Sequence, residues 1–253
     1  MYANAALTFQ QSSRRHVIFS PSVPDSPTVP TQNVASVSEI GLRDFNTIGT
    51  SRQYEAHSVI IREGFPAGHL LIVCSGRVKL TAASSEGRLL LLRVAAPGDF
   101  LGLAALLQNA LYGGTAETLT PCIIKSIPRA DFLSFITKYP DIGHNIVQAL
   151  AREYNGAVLT ARRLALHTSA AGKLASTLLD LARAEEPDSN IALTHLPLSF
   201  LMELTHEDLG SMAGLSRETV SRLLTRFRRE GHVHQIHDRM TLPHPVLMEA
   251  RYC

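Results

Sequence analysis

The sequence predicts an α+β chain: an N-terminal β-roll, then one long helix, then a C-terminal helix-turn-helix with a wing. Three observations carry this expectation. Short apolar runs, each closed by a glycine, fill the stretch from Tyr54 to Gly98. A heptad-spaced apolar seam follows Pro140, and two short helical patterns joined at Gly214 lie near the end of the chain.

Composition sets the bounds. With 253 residues and 45% hydrophobic content, the chain can bury two modest cores plus extensions. A net charge of +2 does not announce a nucleic-acid binder, so any such argument rests on how the charge is distributed. Cys74, Cys122 and Cys253 are odd in number and widely spaced, which points away from a disulfide framework or thiolate metal knuckle and toward a reducing cytoplasm. No apolar run approaches the roughly 20 residues of a membrane span, and no basic-then-apolar leader opens the chain. The expectation is a soluble, cytoplasmic protein with no membrane partner.

Residues 1–36 read as a disordered tail, with Pro21, Pro24, Pro27 and Pro30 at every third position favouring extended polyproline II. Residues 37–140 read as the β-roll. Its runs HSVIIREG, HLLIVCSG, RVKLTAASSEG and RLLLLRVAAPG end at Gly64, Gly76, Gly87 and Gly98, as antiparallel strands joined by tight turns would. Arg77 and Lys79 alternate with Val78 and Leu80, which predicts one water-facing side of that sheet.

Residues 141–167 read as a dimerisation helix. Alternating steps of four and three from Gly143 give Val147, Leu150, Tyr154, Ala157, Ala161 and Leu164, a seam suited to a second copy of the chain. Ile142, Ile146 and Val158 flank the seam and are left to pack on the chain's own β-roll.

The last domain spans 168–253. It opens with a helix from about Ser169, followed by the polar loop EEPDSN. In THEDLGSMAGLSRETVSRLLTRFRREG, Thr205 caps a short helix with Asp208 as the reciprocal partner, and Leu209 and Met212 form its buried side. Gly214 supplies the turn, and Ser216 caps a second helix. Val220, Leu223, Leu224 and Phe227 share the core face of that helix, leaving Arg217, Glu218, Ser221, Arg222 and Thr225 opposite. Between Ser216 and Arg229 there are five arginines against one acid, which places the basic patch where duplex DNA would lie. An arginine can donate twice to guanine N7 and O6, and a glutamate can accept from cytosine N4. GHVHQIHDRMTL then reads as a wing of two strands around His237, Asp238 and Arg239. His232, His234 and His237 mimic a metal cluster but lack a fourth ligand at suitable spacing.

SRETVSR within this helix-turn-helix resembles the recognition helix of the catabolite-activator and fumarate-nitrate-reduction regulator (Crp/Fnr) family. PGDFLG, SGRVKL and the EG turn extend the likeness over about residues 40–245. The resemblance implies a homodimeric, sequence-specific transcription regulator that binds a near-palindromic operator with TGTGA- or TTGA-like half-sites. RNA polymerase is implied as a further partner. It makes Arg217, Glu218 and Arg222 base readers and matches Ser221 to a reading position of the oxygen-sensing branch; Ser216 and Thr225 complete the candidate surface.

Cyclic-nucleotide-binding members of this family hold the ribose with a glutamate after a GDFxG-like run, and the phosphate with an arginine in an RSA-like triplet. Here those stretches read GDFLGL and GTA, so Leu103 and Gly114 stand in their places. Gly98, Leu103, Gly114 and Thr115 mark where an effector pocket would lie. A buried phosphate without a cation is costly, so independence from cAMP is expected unless Arg88, Arg93 or the loop around Tyr112 brings a replacement. The iron–sulfur cysteines of the oxygen-sensing branch are missing before Cys74, and haem would have to use Cys74, His57 or His69. No cofactor is expected. No nucleophile motif, phosphate loop or metal signature points to an enzyme. The alternative reading is an effector-binding β-roll whose main role is ligand or redox (haem) sensing.

Overall fold

In the computed structural model, residues 39–185 and 196–253 are described. The N-terminal proline-spaced stretch and most of EEPDSN lie outside these residues. The chain opens with α1 (Glu39–Thr47), β1 (Thr50–Tyr54), β2 (Val59–Ile61), β3 (His69–Ser75), β4 (Val78–Ala83), β5 (Leu89–Ala95) and β6 (Phe100–Leu101). It continues through α2 (Leu103–Gln108), β7 (Thr115–Thr118), β8 (Cys122–Pro128), α3 (Arg129–Lys138) and α4 (Ile142–Leu166). The last domain holds α5 (Ala170–Glu185), β9 (Leu198–Leu201), α6 (His206–Ala213), α7 (Arg217–Arg229), β10 (His234–Ile236), β11 (Arg239–Leu242) and α8 (Pro245–Tyr252). No helix among the described residues is long and apolar enough to cross a membrane.

The α+β architecture is the expected one. Two four-stranded antiparallel sheets, β1-β8-β3-β6 and β2-β7-β4-β5, form the roll. The run HLLIVCS is apolar without alternation because β3 is covered on both faces. Leu70 and Ile72 join the core under α1, α2 and α3, whereas Leu71 and Val73 join the core shared with the second sheet. The β3–β4 turn needs glycine: Gly76 has φ +83°, and a Cβ there would lie 2.4 Å from the Pro121 carbonyl oxygen. The helices α1, α2, α3 and α8 and the strands β1, β6, β7, β8 and β9 lie outside the runs that the sequence marks.

The predicted water-facing side of the second sheet is the main correction. That side meets the C-terminal domain. Arg77 donates to Glu185 at 2.6 Å and lies 3.7 Å from Glu203, while Lys79 donates to Asp208 at 3.2 Å. Leu91 of β5 is fully buried among Leu209, Val220 and Leu224 of the C-terminal core. The Ser211 hydroxyl of α6 donates to the Leu89 carbonyl and accepts from the Leu91 amide, which caps the open edge of β5. Alternating charge along one strand is the same whether the charges meet water or acids more than a hundred positions later.

The long helix is tied to the same domain by one buried cation. Arg163 of α4 is 2% exposed; it donates to Asp180 of α5 at 2.6 Å and to the Met212 carbonyl of α6 at 3.2 Å. The second contact sets a positive charge at the C-terminal end of α6, where the helix dipole favours it. Burial pushes the Asp180 carboxyl up, and the guanidinium opposes that shift.

Removing one member of such a pair leaves the other desolvated. Arg163→Ala should therefore cost about 3 kcal/mol in chemical denaturation, and Arg163→Met combined with Asp180→Leu should recover most of that loss. A single-variant loss below about 1 kcal/mol would mean that the pair behaves as a solvated surface bridge.

Candidate nucleic-acid interface

Local sequence rules build the helix-turn-helix. The Thr205 hydroxyl accepts from the Asp208 amide, and the Asp208 carboxylate accepts from the Thr205 amide, which closes the capping box on α6. Burial alone would raise the Asp208 carboxyl, but the Thr205 hydrogen bonds and the Lys79 ammonium hold it below its usual range. Gly214 takes φ +67° at the turn and sits against Leu164 of α4. The Ser216 hydroxyl accepts from the Thr219 amide and caps α7.

On α7 the buried set is Val220, Leu223, Leu224 and Phe227. The opposite face forms an open groove of about 760 Å³ lined by Arg217, Glu218, Ser221, Arg222 and Thr225, with Arg226 and Arg229 added at its far end. The arginines differ in freedom. Arg226 donates to Glu230 at 2.9 Å and Arg228 donates to Gln235 of the wing at 2.6 Å. Arg217, Arg222 and Arg229 are in no ion pair closer than 4 Å among the described residues. The Glu218 carboxyl is held below its usual range by its own backbone amide and the Ser216 hydroxyl, so it stays ionised beside those cations. This face therefore offers uncommitted guanidinium donors and one carboxylate acceptor.

One contact on this face was missed. His206, the first residue of α6, places Nδ1 2.8 Å from the Ser221 hydroxyl. Heptad and capping patterns follow single helices and carry no signal for a bond between two of them.

The wing is β10 paired with β11, and β11 pairs in turn with β9. His237 takes φ +54° at the tip. His232 lies before the start of β10; it is edge-on to Tyr252, and burial there keeps its imidazole below the ordinary value. Among the described residues no three His, Cys, Asp or Glu side chains are grouped to hold a metal.

Comparison with known proteins agrees with this geometry. Residues 51–139 match the cyclic nucleotide-binding domain family, and residues 172–251 match the Crp-like helix-turn-helix domain family. The cAMP-activated global transcriptional regulator CRP of Pasteurella multocida is 31% identical over 173 residues, covering 68% of this chain and 79% of that protein. The chain belongs to the Crp/Fnr family of transcription regulators. A CRP-like cAMP-activated global transcriptional regulator of Mycobacterium tuberculosis is 30% identical over 176 residues, covering 68% of this chain and 74% of its own length. FixK2 from Bradyrhizobium japonicum shares the fold with a TM-score of 0.66 at 20% identity, over 80% of this chain and 96% of that one. Like its Crp/Fnr relatives, the chain is a regulator with a DNA-binding helix-turn-helix and not an enzyme.

In this Crp/Fnr chain the four effector-pocket candidates sit in different settings. Leu103 is 1% exposed and belongs to the apolar core with Leu70, Ile72 and Leu106. Gly98 occupies the β5–β6 turn, its amide donating to the Val73 carbonyl. Gly114 has no room for a side chain, since a Cβ would lie 2.9 Å from the Thr81 carbonyl oxygen. Thr115 opens β7 opposite Thr81, and its hydroxyl accepts from the Glu63 amide. Each replacement group has a partner of its own, the Arg88 pair being solvent-exposed. Arg88 pairs with Glu86, Arg93 donates to Asp99 and the Phe100 carbonyl, and Tyr112 donates its hydroxyl to the His69 carbonyl. A cavity of about 540 Å³ beside Arg52, Tyr54, His69 and Asp131 contains none of the four candidates. The haem candidates are apart in their settings too: Cys74 is buried near Lys125, and His57 lies beside Glu117.

The seam residues divide. Val147 and Tyr154 are 63% and 70% exposed, and Ala157 and Ala161 are exposed as well. Leu150 instead packs against the β-roll core, and Leu164 lies against the Gly214 turn. Ile142 and Ile146 are buried against the roll as expected, whereas Val158, assigned to the same task, is exposed. The turns around residues 151–159 touch neither domain closely enough to bury their apolar side chains.

Proposed function

We propose that the protein is a homodimeric transcription regulator that inserts α7 into the major groove of a near-palindromic operator with TGTGA- or TTGA-like half-sites, and that it does so without cAMP. The observation that carries this reading is the exposed face of α7. Among the described residues Arg217 and Arg222 stand there free of ion pairs beside an ionised Glu218, on a helix whose other side is locked into the core. Arg217 and Arg222 supply guanine-directed donors, Glu218 accepts from cytosine, and Arg229 meets backbone phosphate. Thr225 adds a methyl and a hydroxyl oxygen, and Ser216 holds the helix start.

Dimerisation follows from α4. Its exposed middle turns would be marginal alone in water, and their apolar residues repeat at heptad spacing. With Leu150 and Leu164 occupied by their own protomer, the exposed set Val147, Ala151, Tyr154, Val158, Ala161 and Ala165 keeps the four–three spacing and turns the seam by about one residue. The second copy is its occupant, and a two-fold protein then calls for half-sites about one helical turn apart, roughly 10 base pairs.

The case against cAMP rests on the same residues named above. A core leucine cannot accept from a ribose hydroxyl, Gly114 brings no cation to a phosphate, and Arg93 is held by Asp99 and the Phe100 carbonyl. The names of the relatives tie cAMP to those proteins; in this chain the two positions that the family resemblance matches to ribose and phosphate contacts hold Leu103 and Gly114.

Three outcomes are expected. Tyr154→Glu should convert a micromolar dimer to monomers in sedimentation with little loss of stability; an unmodified protein that sediments as a monomer contradicts the seam. Arg222→Ala should cost about 1 to 3 kcal/mol on the operator and relax preference at one base pair. Equal losses on specific and random duplexes would reduce Arg222 to a phosphate contact. Calorimetric titration of nucleotide-stripped protein with cAMP should show no micromolar binding, and operator affinity should not change; a clear gain on adding cAMP refutes independence.

A further inference from the structure

The polarity of the hydroxyls on α7 has a consequence for which bases they accept. A serine hydroxyl carries one proton and two lone pairs. Ser221 Oγ lies 3.0 Å from the Arg217 carbonyl oxygen, which can only accept, and 2.8 Å from His206 Nδ1. If Nδ1 carries the imidazole proton, it donates to Ser221 and the serine proton goes to the Arg217 carbonyl. If Nδ1 is bare, the serine proton goes to one of these two acceptors. In either arrangement the proton is used inside the protein and a lone pair is left facing the groove. The Thr225 hydroxyl also donates one turn back, to the Ser221 carbonyl at 2.9 Å, but has no counterpart of His206 among the described residues to hold it there.

We propose that Ser221 is an acceptor-only base reader, selecting an exocyclic amino group (adenine N6 or cytosine N4) at its base position, and that His206 is the positioning residue that keeps it so. This rests on the reading of α7 as the recognition helix and deepens it. In the major groove, adenine and cytosine present amino donors where guanine O6 and thymine O4 present acceptors. A hydroxyl with a free proton serves either kind of edge. One whose proton is committed rejects guanine and thymine, since two acceptors then face each other. His206 matters because it closes the second direction in which the hydroxyl would swing; the bond to Arg217 alone leaves the side chain free to rotate and donate outward.

The test uses the full-length protein and duplexes selected on it from a randomised inverted-repeat library, followed by competition binding with each half-site position varied singly. At one strand position the unmodified protein should prefer adenine or cytosine over guanine and thymine by roughly three- to tenfold, the range of a single hydrogen bond. Ser221→Ala should flatten preference at that position alone. His206→Phe should weaken discrimination there while leaving the salt dependence of binding and the preference set by Arg222 intact, which also shows that the variant is folded. The proposal is overturned if Ser221→Ala changes no preference, if the base lost is guanine or thymine, or if His206→Phe leaves that position unaffected. It is equally overturned if His206→Phe instead lowers the salt slope by about one, since His206 would then be a phosphate contact. Failure of the unmodified protein to select any sequence refutes the regulator reading itself, and is told apart from these outcomes by being visible before any substitution.

Discussion

Where the recognition helix points depends on one guanidinium withdrawn from water at the meeting of three helices. Arg163 belongs to the helix that spans between the two domains, yet its partners are a carboxylate on α5 and a carbonyl at the end of α6. A buried cation cannot slide along an apolar surface as a leucine can, because each displacement breaks a charged hydrogen bond before another forms. Arg163 Nε has no hydrogen-bond partner among the described residues, so the group is held by two of its three nitrogens and not by a complete cage. Such a contact favours one orientation of the helix-turn-helix without making departure from it impossible.

A second set of contacts ties α6 to the β-roll. Lys79 reaches Asp208, and Asp208 is also the capping partner of Thr205 at the start of α6. Ser211, one turn further on, completes the edge of β5. The first helix of the DNA-binding pair is thus held by the β-roll at Asp208 and again at Ser211, and by α4 at the Met212 carbonyl. Leu91 adds an apolar plug between them. Any shift of the β4–β5 hairpin relative to α4 must be shared between these contacts.

What the sequence made legible was what one helix or strand can encode. The caps at Thr205 and Ser216, the positive φ at Gly214 and the core face of α7 all follow from residue type and period, and all are present. The seam on α4 was legible in spacing and not in rotation, because a heptad pattern does not say which of two neighbouring apolar residues a domain has already claimed. Leu150 and Leu164 were claimed. The charges of Arg77 and Lys79 were read as solvated because their partners Glu185, Glu203 and Asp208 lie far away in sequence, and Leu91 vanished within a run of four leucines for the same reason. The small helices of the roll escaped because none has a period long enough to stand out.

The same division separates affinity from specificity on α7. The arginines free of ion pairs supply a charge that attracts any duplex, and their local spacing suffices to display it. Which sequence is retained depends on finer matters: where each proton sits, and how α7 is aimed. On the reading proposed above, the first is set between neighbouring helices, at His206 and Ser221. The second is settled between domains, at Arg163 and along the edge of β5. On this reading, operator preference can change at a constant basic face through residues that never touch DNA, provided those residues decide which atom of a hydroxyl, or which turn of the helix, meets the bases.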